Sequence, residues 1–200
     1  MALCFSGNKL IDIQVIFTEN NRSYSLQVNS LSSTEELNKG LWLVIAGVND
    51  IPPHIALIDD GKYYSVSARK VKVAEPVDKF LKAIGRNSLP TLFVGIKQGN
   101  QSPQMGGLRG AEAAFQRYPV LGNGDHTCHW PIRDFFVETF SPEFASGDLV
   151  FELLAIAQKQ GLLTECKSLY VKSNSSVITL PKYTNEQIKE RINSILKINE

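Results

Sequence analysis

Cysteine, net charge and long apolar runs are all scarce in this sequence. It contains three cysteines, Cys4, Cys128 and Cys166, and none of them belongs to a C-x-x-C pair. An odd and widely spaced set does not predict a disulfide framework. We therefore expect free thiols and a reducing compartment, for which the cytoplasm is the natural choice.

The charged residues almost cancel. Lysine and arginine number 21, aspartate and glutamate 20, and the formal net charge is +1. Because no broad basic surface is expected, nucleic acid and acidic membranes are not predicted partners. The longest apolar run, 41–48, is far shorter than the roughly 20 residues that span a bilayer. We therefore expect no membrane span, and the first residues show no signal-peptide pattern.

The residues that are present indicate one globular unit. Apolar residues make up 43% of the 200 residues and charged residues 20%, which is typical of a folded chain. We predict a single α+β domain over 1–200. Within it, 1–40 forms an N-terminal hairpin extension, 41–140 the core, and 141–200 C-terminal helices and short strands. The sequence does not reveal the oligomeric state.

Strands are indicated by alternating or continuous apolar residues bounded by turns. The predicted strands are 11–17 and 24–28 in one hairpin, 54–58 and 62–73 in a second hairpin around an Asp-Gly turn, 41–46 and 91–96 as buried strands, and 169–171 and 177–180 around a Ser-Asn turn.

Helices are indicated by capping residues and by apolar residues at helical spacing. The predicted helical segments are a turn at 33–36, helices at 76–84 and about 131–140, a helix capped by Ser146 and closed by Gly161, and a last helix that begins at the Thr184 capping box. Between them, 97–126 is rich in glycine and predicts a long loop with a short helix near 111–115.

His54 is the histidine best placed for chemistry. Pro52 and Pro53 stiffen the backbone before it, and it begins a predicted strand. A side chain held in a defined direction at the end of a sheet suits a general base. The competing interpretation is an ordinary structural histidine.

Cys128 lies three residues before Pro131, which marks the start of a predicted helix. A helix N-terminus carries partial positive charge and free N–H groups. Both favour a thiolate, and the same N–H groups can hold an oxyanion. A buried, inert cysteine at a helix start is an equally good interpretation of the local pattern.

The cluster of His126, Cys128 and His129 also suggests metal binding. Zinc sites usually combine such a cluster with ligands from a second segment at characteristic spacing. The only distant candidates for further ligands are His54, Cys4, Cys166 and the carboxylates, and we predict no metal and no cofactor. His129 follows Cys128 directly and is poorly placed to act as its base.

Two segments resemble parts of a known superfamily. The hairpin H-I-A-L-I-D-D-G-K-Y-Y-S-V-S at 54–67 resembles the histidine hairpin of NlpC-type papain-like cysteine peptidases. The pattern T-C-x-x-P-I-x-x-F-F at 127–136 resembles their cysteine-bearing helix start. Histidine precedes cysteine here, which is similar to the circularly permuted branch with lecithin retinol acyltransferase-like enzymes, PPPDE-type peptidases and YiiX-like bacterial proteins. The resemblance covers roughly 40–140.

This resemblance implies a papain-like antiparallel sheet with the cysteine-bearing helix packed against it, in permuted order. Cys128 would be the nucleophile and His54 the general base. The third residue, which orients the imidazole, falls at Ser65, with Ser67 as a fallback. The family usually has His, Asn, Asp, Glu or Gln there; serine can accept a hydrogen bond but supplies no charge.

The function implied is a bacterial thiol-dependent hydrolase or acyltransferase that acts on a peptide amide or an acyl ester, with a small-molecule or peptide substrate. The alternative is a binding or interaction protein that keeps the scaffold without catalysis, because a fold does not by itself carry a function. Serine at position 65 favours this alternative.

Overall fold

The structure is a computed structural model that describes residues 24–98, 108–121, 126–172 and 176–197. The predicted strand at 11–17 and Cys4 lie outside the described residues. So does much of the glycine-rich loop predicted at 97–126.

The described residues form nine strands, five α-helices and two 3₁₀ helices. The strands are β1 Tyr24–Gln27, β2 Asn29–Ser30, β3 Leu41–Ala46, β4 His54–Asp59, β5 Lys62–Val66, β6 Val71–Pro76, β7 Thr91–Ile96, β8 Leu163–Leu169 and β9 Val177–Leu180. The α-helices are α1 Val77–Arg86, α2 Leu108–Gln116, α3 Trp130–Thr139, α4 Val150–Lys159 and α5 Asn185–Lys197, and the 3₁₀ helices are Thr34–Asn38 and Pro142–Ser146.

Seven of the strands form one sheet in the order β2-β8-β7-β3-β4-β5-β6. Neighbours in it are antiparallel except β2 and β8, which are parallel. The strands β1 and β9 form a separate antiparallel pair. The α+β class is therefore confirmed, with a large and mostly antiparallel sheet.

The central strand β3 explains how the sheet is held together. All six of its residues are buried, which agrees with its unbroken apolar sequence. It pairs with β4 on one side and β7 on the other, so that Val44 is opposite both Ala56 and Phe93. Apolar side chains on both faces require a cover on each face.

Two apolar clusters supply those covers. On one face Leu43, Leu57 and Tyr64 pack in a cluster with aromatic residues of α3 such as Phe136. The residues of the opposite face, with α1, make the second cluster: Leu37, Trp42, Val44, Ala46, Ala56, Ile58, Tyr63, Val77, Phe80, Ile84 and Phe93. We call these the α3 face and the α1 face of the sheet.

The second predicted hairpin is confirmed only in part. The Asp-Gly turn joins β4 and β5 as expected, but the strand predicted at 62–73 ends at Val66. Ser67 makes a turn with Lys70, because its Oγ accepts the Lys70 N–H at 3.1 Å and its own N–H donates to the Lys70 carbonyl at 3.0 Å. The chain then returns as β6.

Two further predictions near the C-terminus were wrong in detail. Ser146 does not cap α4; it ends a 3₁₀ helix, and its Oγ donates to the Glu143 carbonyl at 2.8 Å. The cap of α4 comes from Glu152, whose carboxylate accepts the Leu149 N–H at 3.1 Å. The strand predicted at 169–171 is instead the end of β8, which begins at Leu163 and stops at Leu169, whereas the strand predicted at 177–180 is β9. Of these two strands, β8 pairs with β2 and β7, and β9 pairs with β1.

Candidate active site

Cys128 lies just before the amino end of α3, two residues ahead of Trp130. The Oγ1 of Thr127 accepts the N–H of His129 at 3.2 Å, and Pro131 occupies the first turn of the helix. The helix therefore begins where the position of Pro131 predicts it. Cys128 is partly buried and packs against the cluster of the α3 face.

His54 is the first residue of β4 and pairs with Ala46 of β3. Side chains alternate along a strand, so His54 shares the α1 face with Ala56 and Ile58. The same alternation along β5 puts Ser65 on the face of Tyr63. His54 and Ser65 therefore point to the same side of the sheet, whereas Cys128 packs on the other side.

Cys128 and His54 nevertheless both line one cavity of about 160 Å³ at the end of the sheet. The other residues that line it are Asp50, Pro52, Pro53, Leu121, Ile188, Arg191, Ile192 and Ile195. Ser65 does not belong to this lining. The structure thus brings the predicted nucleophile and base to one cavity, and it leaves the predicted third residue outside that cavity.

The surroundings of Cys128 and His54 favour the neutral form of each. Burial raises the pKa of the Cys128 thiol, although backbone hydrogen bonds from Ile55 and from Cys128 itself act in the opposite direction. Burial, together with the cation of Lys72, lowers the pKa of His54 to about 4. At neutral pH the resting site therefore holds a thiol and a neutral imidazole, not a thiolate–imidazolium pair.

Ser65 has a different neighbour from the one predicted. It is buried, and its side chain hydrogen-bonds the hydroxyl of Tyr63. Tyr63 itself is stacked on Phe80, with ring centroids 4.3 Å apart. On the adjacent strand Lys72 pairs with Ser65, and its Nζ lies 5.3 Å from the Tyr63 ring centroid. The structure therefore shows Ser65 in contact with a tyrosine. Its predicted contact with the imidazole stays a prediction.

The two other histidines bind backbone carbonyls. The Nε2 of His126 lies 3.0 Å from the Pro119 carbonyl oxygen, and the Nε2 of His129 lies 2.7 Å from that of Gly147. Because a carbonyl can only accept, each Nε2 carries the hydrogen. Among the residues that the structure describes, no group of three or more His, Cys, Asp and Glu side chains is arranged to hold a metal ion.

A second, smaller cavity also has Cys128 in its lining, and His54 is not among the residues that line it. It measures about 20 Å³, enough for one water molecule, and its lining includes Thr127, His129 and Tyr183. The Nδ1 of His129 is buried without a hydrogen-bond partner. The hydroxyl of Tyr183 accepts a backbone hydrogen bond from Val150, so its proton remains available to a neighbour.

The residues that sequence reasoning missed are Tyr183 and the face of α5. The Thr184 capping box predicts the helix correctly: the Thr184 N–H donates to Gln187 Oε1 at 2.9 Å. The apolar spacing of the helix also predicts a buried face. Neither signal says what that face covers, and in the structure it covers the cavity that contains Cys128 and His54.

Comparison of this chain with family models, with curated proteins and with solved structures finds no match. In the described part of the chain, every helix is too short or too polar to cross a bilayer.

Proposed function

We propose that this protein is a thiol-dependent hydrolase or acyltransferase in which Cys128 attacks the carbonyl carbon of an amide or acyl ester and His54 serves as the general base. The observation that carries this proposal is the shared cavity of about 160 Å³, which has both residues in its lining. The position of Cys128 just before α3 adds the N–H groups and partial positive charge of a helix start.

The reaction follows from the neutral resting state. As the Cys128 sulfur forms a bond to the substrate carbonyl carbon, the thiol proton passes to the free imidazole of His54. The C–N or C–O bond then breaks, and the leaving amine or alcohol takes that proton. Water releases the acyl group as an acid, or an acceptor amine or alcohol releases it as a new amide or ester.

The fold is part of the same proposal. A mostly antiparallel sheet, a histidine at the start of an inner strand and a cysteine before a later helix are compatible with a papain-like arrangement in permuted order. On this proposal 41–140 is the papain-like core, and the cytoplasm of a bacterial cell is the place of action. The free thiols of Cys128 and Cys166 support a reducing compartment.

A non-catalytic binding protein is the second candidate, and two observations favour it. The pKa of Cys128 is raised and that of His54 is lowered to about 4, and both directions oppose proton transfer from sulfur to nitrogen. Ser65 supplies no negative charge to stabilise an imidazolium. An enzyme with this site must therefore obtain much of its rate from substrate-induced changes around the pair.

The test uses a panel of 4-nitrophenyl esters and peptide 4-nitroanilides, with intact-mass analysis to detect an acyl group on the protein. We expect acylation at Cys128, loss of turnover in Cys128→Ala, and a decrease in kcat/KM of roughly 10²- to 10⁴-fold in His54→Gln. Because the base must be neutral, kcat/KM should rise with pH through about 4, the pKa of His54, and not near 6.5.

The matched control is Cys166→Ala. Cys166 is also a free cysteine, but it is buried in β8 and lines neither cavity around Cys128. Its replacement should leave the rate and the adduct unchanged. Hydrolysis that survives in Cys128→Ala would refute the enzyme proposal. A complete absence of adducts on Cys128 across the panel would favour the binding protein.

A further inference from the structure

We propose that α5 forms an acyl-group subsite of limited size beside Cys128, so that the preferred substrate carries an apolar group of about six non-hydrogen atoms next to the reacting carbonyl. The identification of the bound apolar group as an acyl group rests on the proposed function. The cavity itself, and therefore the binding of an apolar group, does not depend on catalysis.

The lining of the cavity shows how α5 contributes. Four of its residues take part: Ile188, Arg191, Ile192 and Ile195. Their spacing of three, one and three residues is that of a single stripe along a helix. The stripe lines the same cavity as Cys128 and His54, so a group held in that cavity lies beside the sulfur.

The chemistry of the lining selects an apolar occupant. Isoleucine side chains from α5, together with Pro52, Pro53 and Leu121, make most of the wall. The charged members, Asp50 and Arg191, are both exposed residues and mark the mouth of the cavity. Transfer of a charged group into this wall would be unfavourable without a buried partner, whereas an alkyl or aromatic group gains from leaving water.

The volume limits the size of that group. A cavity of about 150 Å³ lined by apolar side chains holds benzene, and this one measures about 160 Å³. Sites for whole drug-sized ligands are larger, roughly 300–1,000 Å³. The cavity therefore accepts one part of a substrate, such as a short or branched acyl chain or a leucine-sized side chain.

The beginning of α5 is fixed by packing, so the wall is preformed. Tyr183 is buried, and the centroid of its ring lies 5.5 Å from the ring centroid of Phe151 in α4. Ile188 is 6% exposed and belongs to the main cluster, and Ile192 packs against that cluster. A preformed wall imposes a size limit, whereas a loose segment would adapt to larger groups.

The test is the chain-length profile for 4-nitrophenyl esters of straight-chain acids from acetate to decanoate. Ile192→Ala removes about three carbon atoms from the wall, so the optimum should move to chains longer by about two to three carbons. Ile192→Val removes one carbon atom from the wall and should move the optimal chain length by about one carbon. The matched control is Leu196→Ala, the same loss of volume on the same helix at a residue that does not line the cavity.

A binding measurement separates this inference from the proposed function. Fluorobenzene is titrated into Cys128→Ala protein and followed by ¹⁹F NMR, with Ile192→Trp added to fill the cavity. Saturable binding that Ile192→Trp abolishes supports the subsite even if no ester is hydrolysed, in which case only the catalytic proposal fails. Ester hydrolysis whose optimum is the same in wild type and Ile192→Ala overturns the subsite. A lack of fluorobenzene binding overturns it as well.

Discussion

Replacement of Ser65 by aspartate tests the electrostatic description of the site most directly. Ser65 lies on the same face of the sheet as His54. In the pairing of β4 with β5, Leu57 is opposite Tyr64. The same register continued by one residue places Ser65 opposite Ala56, which makes Ser65 a diagonal neighbour of His54. Serine leaves the imidazole without a counter-charge, while burial and the cation of Lys72 lower the pKa of His54 to about 4. A carboxylate at position 65 should favour the protonated imidazole.

The magnitude follows from Coulomb's law. Diagonal neighbours on adjacent strands have Cβ atoms about 7 Å apart. At that separation, and with an effective dielectric constant of about 20, the attraction between unit charges is roughly 2 kcal/mol. Since a tenfold change corresponds to about 1.4 kcal/mol, the Ser65→Asp substitution should raise the pKa of His54 by between about 1 and 2.

The assay is an NMR titration of the His54 imidazole in wild type, Ser65→Asp and Ser65→Asn. Asparagine matches aspartate in shape and carries no charge, so Ser65→Asn controls for crowding at this buried position. Lys72→Met is a second and independent route, because it removes the cation that lowers the pKa of His54. It should raise that pKa without placing a new group in the interior.

The reasoning would be refuted if the Ser65→Asp and Ser65→Asn proteins titrated alike while Lys72→Met also left His54 unchanged. If only one of the two substitutions failed to change the pKa of His54, that result would show which part of the reasoning is wrong. An unresponsive Ser65→Asp protein would mean that the new carboxylate pairs with Lys72, which is opposite Ser65. An unresponsive Lys72→Met protein would mean that burial alone sets the pKa of His54.

Three further predictions concern stability. Burial raises the pKa of Asp59 from 3.8 to about 6. The folded state therefore holds this proton more tightly than the unfolded state, and stability is lost as the pH rises through this range. Asp59→Asn should add roughly 1–3 kcal/mol to the free energy of unfolding at pH 7 and little at pH 4. Burial lowers the pKa of His129 from 6.5 to about 4, so stability should fall as the pH falls through this range, and His129→Gln should reduce that loss. Phe136→Ala should cost about 3–5 kcal/mol, because Phe136 is fully buried among Phe135, Phe140 and Phe144.

Urea titrations between pH 4 and pH 7 measure all three effects. An Asp59→Asn protein with the same stability as wild type at both pH values would contradict the raised pKa of Asp59. Parallel pH profiles for wild type and His129→Gln would show that His129 titrates normally. A loss below about 1 kcal/mol in Phe136→Ala would mean that the aromatic cluster is not part of the cooperative core.

Several elements could be predicted from the sequence because their signals are local. The unbroken apolar run of β3, the Asp-Gly turn between β4 and β5, and Pro131 at the start of α3 each depend on neighbouring residues. The same is true of the Thr184 capping box. Turn, capping and spacing signals involve residues that are close together in the sequence, so the order of these elements can be predicted from the sequence.

The errors have two sources: local turns that the apolar pattern does not reveal, and pairing partners that are distant in the sequence. The strand predicted at 62–73 is interrupted because Ser67 turns the chain back onto Lys70, and the Ser67 carbonyl then accepts the N–H of Leu121 at 3.1 Å. Likewise β9 pairs with β1, more than 150 residues away, as Ser25 and Thr179 show by a hydrogen bond at 2.8 Å. Sequence spacing carries no information about such pairings.

What the sequence by itself determined is most of the elements, the α+β class and the placement of His54 at a strand start and Cys128 before a helix. Only the tertiary structure decided that these two residues line one cavity, that Ser65 contacts Tyr63, and that α5 covers the site. The physical reason is that cavity shape, burial and the resulting pKa values depend on which distant surfaces pack together. Those contacts are set by the whole core and not by any local stretch of chain.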